Sequence, residues 1–167
     1  MKKLQLYMFG LFPSLYFAGC TLIPHPPDVV LERNFRENHR GFQRLVGMAA
    51  VDQDLIWIGV EADSNPKIDA SRTNRGTAGS SRDQRWSQYR RLLMEAGCYA
   101  VYRSYWDGSV FFAYSARGLV PRGSVKGYAH VLESPPMEAE GWFRYDQSRE
   151  LWLKRFSGNW YLFCSGC

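Results

Sequence analysis

The run YAVYRSYWDGSVFFAYS, Tyr99 to Ser115, decides the fold. Its residues follow a period of two on both sides of Asp107-Gly108, which is the repeat of a β-strand, and Asp-Gly is a favoured two-residue turn because both residues tolerate positive φ. The stretch predicts a hairpin with Asp107 and Gly108 at its tip. Downstream, Ser124 to Glu133 predicts a third strand, ended by Ser134-Pro135-Pro136 because proline cannot donate to a ladder. Between them Leu119-Val120-Pro121-Arg122-Gly123-Ser124 predicts an exposed loop at the sheet edge. Trp142 to Tyr145, Leu151 to Phe156 and Trp160 to Cys164 predict further strands, with Ser157-Gly158-Asn159 as the last turn. Sequential antiparallel pairing into a meander is the simplest arrangement, although the pattern leaves the strand order open.

Upstream of the hairpin the repeat changes to that of a helix. Leu31, Phe35, Phe42, Leu45, Val46 and Ala49 recur at helical spacing, so Val29 to Val51 predicts an amphipathic helix with Asn38 as the one polar residue on its apolar stripe. Arg33, Arg36, Arg40 and Arg44 fall on the opposite side, where they form either a solvated face or a contact for anionic headgroups or an acidic partner protein. Leu55 to Val60 is a short, β-branched apolar run that predicts a strand buried on both faces. Ala62 to Ser80 is polar and long, which predicts a mobile or recognition loop. Ser81-Arg82-Asp83-Gln84 has capping-box spacing and opens a second helix whose buried stripe is Trp86, Tyr89, Leu93 and Ala96, with Gly97 as its left-handed cap. The whole predicts a single α+β domain over residues 29–167, with two helices packed on one face of a twisted antiparallel sheet that is mostly meander.

The first residues have a different character. Lys2 and Lys3 precede a nearly continuous apolar run from Leu4 to Phe17, and small Ala18 and Gly19 lead into Cys20. That order describes a secretory signal, and the run is short of the roughly 20 apolar residues of a spanning helix. Leu15-Tyr16-Phe17-Ala18-Gly19-Cys20 resembles the processing site of a bacterial lipoprotein precursor. The resemblance implies that residues 1–19 are removed, that Cys20 is acylated, and that the domain is held on the periplasmic side of a membrane. Thr21, standing where aspartate retains such proteins in the inner membrane, implies the outer membrane. Residues 20–28, with Pro24, Pro26 and Pro27, predict an extended tether about 25 Å long. The second half also resembles a group of proteobacterial lipoproteins through Lys126-Gly127-Tyr128-Ala129 and Gly158-Asn159-Trp160-Tyr161-Leu162-Phe163, which implies envelope placement and carries no activity with it.

Of the formal charge of +5, Lys2 and Lys3 supply two, leaving +3 on residues 20–167. Such mild basicity argues against nucleic acid as a partner. Aromatic residues make up 16% of the chain, which suits a compact β-rich core and excludes a disordered stalk. Cys164-Ser165-Gly166-Cys167 has redox spacing but closes a strand at the end of the sequence, whereas redox pairs open a helix. In an oxidising compartment Cys98, Cys164 and Cys167 allow one structural bridge and one leftover thiol, with Cys98 to either of the others as a candidate pairing. His25, His39 and His130 show no metal-ligand spacing, and the nucleophile-elbow and zinc-protease motifs are missing, so no catalytic residue, metal or cofactor is expected. The leading expectation is a non-enzymatic envelope lipoprotein that binds a protein or surface component. The alternatives are an immunity or inhibitor protein acting on a toxin or lytic enzyme through the Ala62 to Ser80 loop, and a thiol-dependent enzyme.

Overall fold

The computed structural model describes residues 24–60, 67–68, 80–104, 106–118, 123–132, 141–146 and 150–167; for 67–68 and 80–82 it describes the backbone. Cys20 and most of the Ala62 to Ser80 and Leu119 to Ser124 runs therefore lie outside the described residues. In chain order the elements are α1 (Asp28–Val51), β1 (Leu55–Gly59), β2 (Lys67–Ile68), α2 (Ser80–Glu95), β3 (Ala100–Arg103), β4 (Val110–Arg117), β5 (Ser124–His130), β6 (Trp142–Asp146), β7 (Leu151–Ser157) and β8 (Trp160–Ser165). The fold is α+β: the strands form one antiparallel sheet in the order β2-β1-β3-β4-β5-β8-β7-β6, with the helices on one face.

The sheet is a meander with one departure, since β5 pairs with β8 and not with β6. The reason is burial. Trp160 to Cys164 is buried at five successive positions and needs neighbours on both edges and both faces, whereas β6 carries Arg144 and Asp146 and tolerates the edge. Gly127, on β5 next to the bulge between Ala113 and Ser115, makes the close approach possible: a Cβ there would stand 2.0 Å from the Phe112 carbonyl oxygen.

α1 buries Leu31, Phe35, Phe42, Leu45, Met48 and Ala49, and Phe42 lies among Phe112, Tyr128 and Trp160 at ring distances of 5.4, 4.7 and 5.7 Å. Asn38 takes non-helical angles and kinks the helix, its amide donating to the Asn34 carbonyl and side-chain oxygens. Asn34 in turn donates to the Ala96 carbonyl and to the Tyr128 hydroxyl, which donates to the Leu31 carbonyl. The polar interruption in the stripe thus becomes a network joining α1, the end of α2 and β5. α2 buries Trp86, Tyr89, Leu92, Leu93 and Ala96 and ends in a Schellman motif: Gly97 at φ 69° lets Cys98 N–H reach Leu93 O and Gly97 N–H reach Met94 O. Arg85 and the Tyr89 hydroxyl both donate to Asp52, fastening the end of α1 to α2.

Two local expectations are corrected. The β3–β4 connection is longer than a two-residue turn; Ser104 and Ser109 close it, and of Asp107 and Gly108 only Gly108 takes positive φ. Asp107 instead accepts bonds from the Ser109 amide and hydroxyl and from the Tyr145 hydroxyl. β1 is also not buried on both faces, because the helices cover only one side of a strand near the sheet edge and leave Ile56 42% exposed.

The face away from the helices has its own core of Phe111, Ala129, Val131, Leu151, Leu153, Tyr161 and Phe163. Tyr102 on β3 and Phe163 on β8 approach to 6.1 Å between ring centroids. Three strand spacings separate them, about 14 Å in a flat sheet. The sheet therefore curls toward this face, and the Tyr145–Asp107 hydrogen bond fastens β6, at the far edge, to the β3–β4 turn.

Candidate functional site

The candidate site lies on the helix-bearing face beyond the start of α1, where the sheet is left to the segment that precedes the helix. Pro24 to Pro27 do not extend freely. His25 bonds through Nδ1 to the Ser115 hydroxyl at 3.1 Å and through Nε2 to the Ser124 hydroxyl at 2.7 Å. Lys126 donates to the Pro26 carbonyl at 3.0 Å and to Asp28 at 2.7 Å, and Lys154 reaches the other Asp28 oxygen at 2.8 Å. The expected tether is thus, over its described part, a brace laid against β4, β5 and β7. Prolines explain why: they deny the segment its own helix and leave its carbonyls free to accept from the sheet.

Around the brace is an open cavity of about 360 Å³ lined by His25, Lys126, Trp142, Trp152, Cys164 and Cys167. Its floor continues into a checkerboard on β6 and β7, because residues two apart on a strand share a face and the register sets Trp142 opposite Lys154 and Arg144 opposite Trp152. Arg144 stands over the Trp152 ring at 5.9 Å and Lys126 over Trp142 at 5.7 Å. Both tryptophans are 36% exposed, a high value for side chains that normally anchor cores.

The electrostatics are those of a pocket whose burial and cations disfavour the charged form of the imidazole. Burial lowers the His25 pKa, and the Lys126 and Arg117 charges lower it further. Burial alone would raise the Asp28 carboxyl, but hydrogen bonds from Lys126 and Lys154 outweigh it and hold the group below the usual carboxylate range. Lys154 is raised in return, by its bond to Asp28 against a smaller effect of burial.

The fold separates the cysteines differently from the expected Cys98 bridge. Cys164 and Cys167 are joined to each other, with Cα atoms 5.9 Å apart. Cys98 is a free thiol, 3% exposed under the end of α2, and burial raises its pKa. Its place between α2 and β3, set by the Schellman turn, holds it in the core under the helices. Arg33, Arg36, Arg40 and Arg44 are all exposed on the outer side of α1, as the periodicity predicts, and none lines the cavity. His39 packs against Phe35 and His130 against Trp160, away from the site.

His25, Lys126, Trp142 and Trp152 are the residues that sequence reading passed over. The Trp-x-Arg and Trp-x-Lys alternation at 142–144 and 152–154 is the signal that was available, since it sets an aromatic and a cation on one face of each strand. No such signal exists for His25, which meets the two C-terminal cysteines only through the fold. Compared with known protein families, curated proteins and solved structures, the chain matches none.

Proposed function

We propose that this is a non-enzymatic binding protein of the bacterial envelope, anchored through an acylated Cys20, which takes an anionic envelope component on the checkerboard of β6 and β7. The observation that carries this reading is the exposure of Trp142, Trp152 and Arg144, set with the half-buried Lys154 beside the braced N-terminal segment. Tryptophan favours the boundary between an apolar phase and water, and lysine and arginine beside it supply attraction to anionic groups. Cys20 precedes Pro24 by four residues, so an anchor there reaches at most about 14 Å from the brace. A lipid on Cys20 and the checkerboard then serve the same surface, and the domain is oriented rather than freely tethered. The arginines of α1 are exposed on its outer side and line no part of the cavity.

Acylation is tested with a fatty-acid probe in growing cells, where wild type labels and Cys20→Ala does not; equal labelling removes the anchor from the reading. The binding face is tested by a photoreactive residue placed at position 152, with position 40 on the arginine stripe for comparison. The expected result is an adduct from position 152 to an anionic lipid, glycan or acidic protein. Adducts from position 40 and none from position 152 would overturn the assignment of the face.

A further inference from the structure

We propose that His25, Cys164 and Cys167 form a redox-gated binding site for a soft or borderline metal cation, with the two thiolates and one imidazole nitrogen as ligands and a fourth position open to the cavity. The ligand atoms of all three residues lie within 4.8 Å of one another. Tetrahedral zinc holds sulfur at about 2.3 Å and nitrogen at about 2.0 Å, which sets its ligands roughly 3.5–3.8 Å apart. Once the bond is broken the two sulfurs must part from about 2 Å to about 3.8 Å, and the imidazole must close on them by about 1 Å or less, to embrace such an ion.

The surroundings suit the donor set. Two thiolates and an imidazole prefer soft cations to magnesium or calcium. His25 has a hydroxyl at each ring nitrogen, Ser115 at Nδ1 and Ser124 at Nε2, so the nitrogen that turns to the cation gives up one serine while the other serine keeps the ring oriented. Lys126 lines the same cavity, and an ammonium beside two cysteines favours the thiolates that a cation requires. Its charge is already shared with Asp28 at 2.7 Å, which limits its repulsion of the ion. Cys167 is exposed and the cavity is open, so the ion has a path inward.

The gate is the Cys164–Cys167 bond itself. While it stands, neither sulfur is a thiolate and the ligand set is reduced to His25. An external dithiol that reduces the bond supplies two electrons and two protons, is itself oxidised to a disulfide, and leaves two thiols. Each thiol then releases its proton to water as its sulfur binds the divalent cation. An external disulfide reverses both steps: it takes up the two electrons with two protons from water and becomes a dithiol, the Cys164–Cys167 bond re-forms, and the ion is released.

The test uses the full chain carrying Cys20→Ala, which removes the one other cysteine outside the domain, purified and treated with a phosphine that reduces the bond without chelating. Co²⁺ is added as a spectroscopic probe and then displaced by Zn²⁺. The expected result is one equivalent of Co²⁺ with thiolate charge-transfer absorption in the reduced protein and none in the oxidised protein. His25→Ala should weaken Zn²⁺ binding at least about tenfold. Cys167→Ser, at an exposed position that the core does not need, should abolish the absorption, and Cys98→Ala should leave it unchanged. Absence of the band after reduction, binding by the oxidised protein at equal strength, or undiminished affinity in a folded His25→Ala chain would each overturn the site.

Discussion

Replacing Gly127 with alanine should be among the most damaging single-methyl changes available to this protein. Gly127 sits on β5 between β4 and β8, paired with Ala113 and Phe163. An alanine Cβ would meet the Phe112 carbonyl oxygen at 2.0 Å and the Phe163 ring at 3.0 Å, where ordinary contact begins at 3.4 Å. The ring can turn, but the carbonyl must retreat by about 1.4 Å, more than the ladder tolerates, since a hydrogen bond weakens outside roughly 2.7–3.2 Å. Overpacking costs about 1–3 kcal/mol, and a buried backbone group left unpaired adds about 1–3 kcal/mol, so the loss should be about 2–6 kcal/mol. At roughly 2–4 °C per kcal/mol for a chain of this size, the melting temperature falls by about 4–24 °C. Thermal and urea unfolding of the Cys20→Ala full chain, followed by circular dichroism, measures the effect. Gly47→Ala is the companion variant, because Gly47 is inside α1 with nothing within 4 Å of an added Cβ. It should gain about 0.5–1 kcal/mol from helix propensity alone. If Gly127→Ala unfolds within about 1 kcal/mol of the parent, β4 and β5 do not approach each other as described and the bulge is wrongly placed.

Two further outcomes follow from the ion pairs. Asp28→Asn keeps the side-chain shape but removes the charge between Lys126 and Lys154, and should cost about 1–2 kcal/mol at neutral pH. Because the folded Asp28 pKa is depressed, its contribution is present above 3.8 and lost as pH falls through the folded value, while the raised Lys154 loses its share only above 10.5. The variant should therefore show a shallower acid limb of stability against pH, and an unchanged limb would mean that the brace contributes nothing. For Asp107, burial raises the pKa but hydrogen bonds from Ser104, Tyr145 and Ser109 outweigh it and bring it to about 2. Its contribution is lost between 3.8 and about 2. Asp107→Asn should lose about 1 kcal/mol after allowance for solvent screening, and near-ultraviolet circular dichroism should report loosened aromatic packing as Tyr145 leaves the turn. An unaltered spectrum and acid limb would refute the clasp between β6 and the β3–β4 turn.

Local pattern was enough for the elements. The 3.6 repeat of Leu31, Phe35, Phe42 and Leu45 fixes a helix because it aligns apolar groups along one side of any helix, whatever it packs against. The period-two runs do the same for the strands, and the exposed arginines of α1 follow from the same geometry. The strand order was not legible: sequential pairing would set β6 beside β5, and that Trp160 to Cys164 lies buried between β5 and β7 is decided by the assembled sheet. The curl of the sheet, the Asp107–Tyr145 clasp and the candidate site belong to tertiary structure. His25 looked like part of a leash because nothing adjacent in sequence holds it; Lys126, Ser115 and Ser124 do so from β4 and β5. Likewise the pairing of Cys164 with Cys167, and the isolation of Cys98 beneath α2, depend on where the sheet sets each sulfur, since β4 and β5 separate β8 from the start of β3. Spacing along a chain determines what a residue can do for its own helix or strand, but a site built from residues at opposite ends of the chain exists only once the sheet has brought those ends together.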